Sequence, residues 1–159
     1  MLPLSTADLD EAAAMLGDPR VMRYVDGATR DRASTARALD ANERCWAAKG
    51  WRLWAIRDVT SGAFVGQAGL QPVTEILGAT AEFSIIVSRR SGGTGVATEA
   101  GHAIVFDAWQ RYSGDEIHAV VHPDDPAAGP LLRNLGFRLQ DEELIRGEMT
   151  QVWHIQRLG

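Results

Sequence analysis

Cysteine is nearly absent from this 159-residue chain. Cys45 stands alone, which excludes an intramolecular disulfide and any CxxC metal site. Lysine is as scarce, with Lys49 the only one among sixteen basic residues. Acids outnumber bases by 21 to 16, for a formal net charge of −5, so no basic footprint for DNA or RNA is present. Such a field weakly favours cationic small molecules. No apolar run approaches the roughly 20 residues of a membrane span. The opening stretch MLPLSTADLD has neither a basic leader nor an apolar segment, and so does not read as a secretion signal. These absences predict a cytoplasmic chain without nucleic-acid or membrane partners.

What is present is an ordinary globular composition, 45% apolar and 23% charged. The length predicts one domain over residues 1–159, large enough to bury about 70% of its unfolded surface. STADLDEAAAML reads as a capped helix start, with Ser5 or Thr6 before an acidic first turn. Gly17-Asp18-Pro19 stops that helix, RVMRYV adds another turn, and a second helix is predicted from about Asp31 to Ala48, ending at Lys49-Gly50. The period then changes. WRLWAIRDV and AFVGQAGLQPV are strand-like runs around a Thr60-Ser61-Gly62 turn, and ATAEFSIIVS follows as a third strand. EIHAVV is a further strand, HPDDPAAGPLLRNLGF a loop and short helix, and the tail a hairpin around Arg146-Gly147. Helices, then an antiparallel meander, then strand–helix alternations predict a mixed α+β sheet.

The most informative stretch is SIIVSRRSGGTGVATEAGHAIVFDAW, Ser84 to Trp109. A strand leads through Arg89, Arg90 and Gly92-Gly93-Thr94-Gly95 into a helix with Ala97, Ala100, Gly101, Ile104, Val105 and Ala108 on one face. Glycines at such a junction turn backbone amides toward an anion, with the helix dipole adding favourable field. They equally suit a tight strand-to-helix turn with no ligand. A Rossmann reading fails because Thr98 stands where the third glycine belongs and a meander replaces the βαβ order. The Walker pattern fails because no lysine follows the glycines.

Gly92-Gly93-Thr94-Gly95-Val96-Ala97 followed by Thr98-Glu99-Ala100 resembles the acyl-CoA signature of the GNAT superfamily of N-acetyltransferases, in its ribosomal-protein and antibiotic N-acetyltransferase-like branch. VMRYV, LWAIRDVTSGAFVGQAGL, AEFSIIVS and VHPDDPAAGPLLRNLGF resemble branch segments in the same order. The resemblance implies a GNAT fold: a mixed, mostly antiparallel central sheet flanked by helices and splayed between strands at Ala81–Ser88 and Glu116–Val121. The ligand it implies is acetyl-CoA as acyl donor, without a metal. Pantetheine would lie against backbone groups of Ile85, Ile86 and Val87. Pyrophosphate would sit over Gly92, Gly93, Thr94, Gly95, Val96, Ala97 and Thr98, with Asp125 near the CoA arm. Gly92 and Thr94 replace residues that are polar or basic in the signature, Asp125 replaces an Asn and Ala128 a Ser. Pro130 is expected to delay or break the first turn of the short helix.

The implied reaction is direct attack of a primary amine on the thioester: a protein N-terminus, a small amine or an aminoglycoside. A backbone N–H near Ile86 or Val87 is the expected oxyanion donor. Glu82 occupies the branch's slot for a general base, and His122 stands at the next strand's end, where an imidazole can relay a proton. Tyr24 and Trp46, on the first helices, are expected to line the acceptor pocket. The branch's tyrosine acid has no counterpart, since Tyr24 and Tyr112 are the only tyrosines; a thiol of pKa about 8.5 leaves without strong help. His118 and His122, four apart on a strand, lie about 13 Å from one another and form no metal pair. Cys45 is expected to be a buried small hydrophobe, and a homodimer is compatible with the sequence. The alternative reading is a degenerate domain that binds acyl-CoA or another ligand without turnover.

Overall fold

The computed structural model describes residues 1–25, 27–73 and 80–159. Its centre is a seven-stranded sheet with the order β1-β2-β3-β4-β5-β7-β6. The strands are β1 (Leu2–Pro3), β2 (Leu53–Arg57), β3 (Phe64–Pro72), β4 (Ala81–Val87), β5 (Glu116–Val121), β6 (Arg138–Ile145) and β7 (Glu148–Gln156). Every neighbouring pair is antiparallel except β4 and β5. β1 is the strand that pattern reading misses: two residues carry no readable period, and Pro3 sits on an edge where no ladder donor is required.

The helices are α1 (Leu9–Leu16), α2 (Pro19–Met22), α3 (Arg32–Lys49), α4 (Val96–Arg111) and α5 (Ala128–Asn134). Among the described residues none is long and apolar enough to cross a membrane. Local chemistry sets their ends. Ser5 and Asp8 form a capping box ahead of α1, Asp31 accepts from the Ser34 amide at the start of α3, and Gly50, at φ 72°, closes α3 in the left-handed region. The α5 helix begins at Ala128, ahead of Pro130. Pro130 is its third residue, where a missing N–H breaks no intrahelical bond, so the expected delay does not occur.

Strand alternation sorts the core into two layers. Phe83, Ile117, Ala119 and Trp153 turn toward Ala100, Ile104 and Ala108 of α4 and Leu132 of α5. On the opposite face, Leu53 and Ala55 meet Ala12 and Leu39, and Ile86 meets Met15, Leu16 and Met22. A Cβ on Gly101 would stand 2.7 Å from the Leu135 side chain, so the small residue at that turn of α4 lets the end of α5 approach. Asn42, 1% exposed, pins α3 to the sheet edge. It donates to the carbonyls of Leu4 and Leu53 and accepts from the Leu53 amide. Arg57 of β2 bridges Asp8 at 2.6 Å and Glu11 at 2.7 Å, tying the first helix to the same edge.

Candidate active site

The seam between β4 and β5 is the feature on which the site is built. The strands pair at one position, Glu82 with His118, while β4 pairs with β3 over seven positions and β5 with β7 over six. Beyond Glu82 the two strands part. The Ser88 amide donates to the Val65 carbonyl at 2.8 Å, and antiparallel alternation follows from it. Ile86, Ser84 and Glu82 turn their backbone groups to β3, whereas Phe83, Ile85 and Val87 turn theirs toward β5. The Glu82–His118 bridge uses Phe83, which leaves Ile85 and Val87 facing the gap. Of the three residues expected to offer backbone groups there, Ile86 does not: it is paired to Gln67. The backbone groups of β4 that face the gap are thus those of Ile85 and Val87, not of Ile86.

A cavity of about 520 Å³ passes through this gap. Its two sides differ in chemistry because the two faces of a strand alternate. Ile85, Ala119, Val121, Ala128, Leu131 and Leu132 give an apolar half on the α4–α5 face. Gln67, Gln71, Glu82, Ser84, Tyr24 and His122 put polar groups on the other, beside Ile86 and Val120. Glu82 is half-buried and shares its face with its pair partner His118. The His122 ring lies 5.5 Å from that of Tyr24, and its Nδ1 accepts from the Asp124 amide at 3.1 Å. A neutral His122 therefore carries its proton on Nε2. His118 is 4% exposed and its pKa is lowered, first by burial and against the pull of Glu116. Glu116 lies 3.5 Å from His118 and 2.5 Å from His154.

The glycine turn lies past the end of β4 and outside the cavity's lining. Gly93 and Gly95 adopt φ of 73° and 83°, and a Cβ on either would meet nothing within 4 Å. Packing does not demand glycine at these two positions; the left-handed backbone does, and the space above them is open. Gly95 caps α4 with no side-chain hydrogen bond, so the amides of Val96, Ala97 and Thr98 lack an intrahelical acceptor and point out of the helix end. The exposed Thr94 bonds within the turn, its hydroxyl donating to the Ser91 carbonyl at 2.6 Å. Gly92 ends the short 3-10 turn Arg89–Ser91, on which Arg89 and Arg90 are exposed.

Trp46 is not at the site. Its indole N–H donates to the Leu53 carbonyl at 2.9 Å and its ring packs on Trp54, with Arg111 over both. It lies on the face of α3 that closes the sheet edge, so its expected place in an acceptor pocket is corrected. Asp125 does line the cavity, but its Oδ1 accepts from the amides of Ala127 and Ala128. The carboxylate closes an Asx-type turn just ahead of α5, a task that needs only an acceptor. Cys45 is half-buried, with Sγ toward the Trp51 carbonyl at 3.5 Å. Pattern reading missed Gln67 and Gln71. The signal was there: two polar residues four apart in an otherwise apolar strand lie on one face.

A family model described as an acetyltransferase (GNAT) domain matches residues 1–138. The chain is 27% identical over 133 residues to the uncharacterized protein YkkB of Bacillus subtilis (strain 168), spanning 82% of this chain and 77% of that protein. A putative GnaT-family acetyltransferase from Bordetella pertussis superposes with a TM-score of 0.82 at 22% identity, covering 96% of this chain and 92% of its own. RimL, a ribosomal L7/L12 alpha-N-protein acetyltransferase in complex with coenzyme A, superposes with a TM-score of 0.79 at 12% identity, covering 98% and 92%. Those two likenesses are likenesses of fold. The match of the family model over most of the sequence says more: the chain belongs to the GNAT acetyltransferase family.

Proposed function

We propose that the protein transfers an acetyl group from acetyl-CoA to a primary amine by direct attack in a ternary complex. The observation that carries this reading is the single ladder pair of β4 and β5, with an apolar half-cavity on one face of the gap and most of the polar lining on the other. A thioester arm suits the apolar half and an amine the polar half, so the two reactants meet inside the sheet. RimL, which shares the fold, was solved with coenzyme A. Bringing both reactants into line supplies much of the rate.

The amides of Gly93, Gly95, Val96, Ala97 and Thr98 hold the pyrophosphate. The N–H groups of Ile85 and Val87 bond the pantetheine arm, and one of them faces the carbonyl oxygen as charge develops there. Glu82 takes the proton from the amine, directly or through water, as the C–N bond forms. The C–S bond then breaks, and His122 Nε2–H or water protonates the departing thiolate. Tyr24 forms one wall of the acceptor side. Two measurements test the reading. Calorimetric titration should show acetyl-CoA binding, and a thiol-release assay should show turnover with primary amines. Absence of heat and of any thermal shift at millimolar acetyl-CoA would reject it. A second reading, binding without turnover, is favoured by α5, whose Ala128–Asn134 segment offers no hydroxyl to the leaving sulfur. Heat without thiol release would select it.

A further inference from the structure

Among the described residues, three buried side-chain nitrogen or oxygen atoms have no hydrogen-bond partner: Arg52 Nε, Gln67 Oε1 and His118 Nδ1. Folded chains keep few such atoms, because an unmade hydrogen bond in the interior is destabilising. Two of the three belong to residues on the wall of one second cavity, of about 240 Å³, enclosed against Leu16, Thr35 and Leu39. This chamber shares Gln67, Gln71 and Arg30 with the main cavity. Those shared residues put it beside the polar face of the seam, on the side proposed to take the acceptor. Gln67 is 5% exposed and pairs with Ile86, one strand spacing of about 4.8 Å from β4. Arg52 brings a guanidinium to this lining. Thr35 is already engaged, its hydroxyl donating to the Asp31 carbonyl.

One orphan is a donor on a cation and the other is a neutral acceptor. A single group of one polarity cannot satisfy both; water can, and so can an amine that also carries a carboxylate, which adds a charge-assisted bond to the guanidinium. We propose that the side chamber is an acceptor subsite for a carboxylate, and that the acceptor is an amino-acid-like amine. Its carboxylate takes the Arg52 N–H, and an N–H of its amine end donates to Gln67 Oε1. The nitrogen then lies at the seam while the anionic end passes behind Gln67. This inference rests on the acetyl-transfer reading and names the substrate class for the same site.

The test compares β-alanine and γ-aminobutyrate with their carboxamides and with alkylamines of equal length. Each is measured as a substrate with acetyl-CoA, and separately by thermal shift with CoA present, which needs no turnover. The carboxylates should have KM and Kd values at least about tenfold below those of the carboxamides, by analogy with charge-assisted over neutral hydrogen bonds. Arg52→Met should abolish that preference while leaving acetyl-CoA affinity as it was. Gln67→Met should raise the acceptor KM and leave Tm equal or higher, since an unpartnered oxygen has been removed. Equal binding of carboxylate and carboxamide, as expected if the chamber holds only water, overturns the proposal. So does a preference that survives Arg52→Met, or a Gln67→Met variant that loses stability with an unchanged acceptor KM. Failure of acetyl-CoA to bind would strike the acetyl-transfer reading instead, and the thermal-shift comparison would still decide the chamber's preference.

Discussion

Replacing Gly95 by alanine separates two reasons for a glycine. The residue sits at φ 83°, and a Cβ there would meet nothing within 4 Å. The methyl therefore clashes with no protein atom, and the fold feels only the left-handed backbone, about 1–2 kcal/mol. For a chain of this size that is a fall in Tm of about 2–8 °C. A pyrophosphate approaching the amides of Gly95 and Val96 would meet the methyl at van der Waals distance. Losing one charge-assisted hydrogen bond of about 1.5–3 kcal/mol weakens acetyl-CoA binding roughly 10- to 100-fold. Gly62 supplies the control: it also has a left-handed φ, 72°, with open space around its Cβ, but lies in the turn between β2 and β3, outside the cavity's lining. Gly62→Ala should lower Tm by a similar amount and leave acetyl-CoA affinity unchanged. Calorimetry on both variants and the parent, with Tm measured alongside, reads both effects. If Gly95→Ala binds acetyl-CoA as the parent does, the cradle is not where the phosphates sit.

Three further outcomes follow from the geometry. Glu82→Gln should reduce the turnover rate by about 100-fold or more and remove the acidic limb of its pH profile, with acetyl-CoA affinity retained; an unchanged profile would assign the base elsewhere. His118 is buried with a lowered pKa, so below its ordinary value of about 6.5 the unfolded chain binds more protons there than the folded one. Stability contributed at this site is thus lost as pH falls from 6.5 toward the lowered pKa, and His118→Gln should flatten that part of the denaturant-midpoint curve. Asp125→Asn keeps the acceptor for the Ala127 and Ala128 amides and should be nearly neutral in Tm, whereas Asp125→Ala should destabilise by about 1 kcal/mol. Equal Tm values for the two would dismiss that role in the turn.

How much of this was legible beforehand depends on the range of the interaction concerned. The capped first helix, α3 with Gly50 behind it, the three-strand meander and the strand–glycine–helix unit depend on neighbours in sequence, and their patterns foretold them. The two-residue β1 has too little chain to show a pattern; its partner lies some fifty residues away in β2. Trp46 looked like a pocket wall because helices carry aromatic residues to pockets and to sheet edges alike. The indole donor to Leu53 decided between them. Asp125 looked like a weakened cofactor contact until the turn of the chain brought the amides of Ala127 and Ala128 to its carboxylate.

The sequence by itself determined most of the elements, their order, the glycine turn before α4 and a family signature, because each is encoded over a few residues of backbone preference or periodicity. Only the tertiary structure decided that β4 and β5 form a single ladder pair, which of their backbone groups face the gap, and that Gln67 and Arg52 line one chamber and each carry an unmatched buried atom. Those facts arise where distant segments pack together. Strand register, twist and the placing of side chains across a sheet follow from the sum of many contacts, and no local stretch of sequence records that sum.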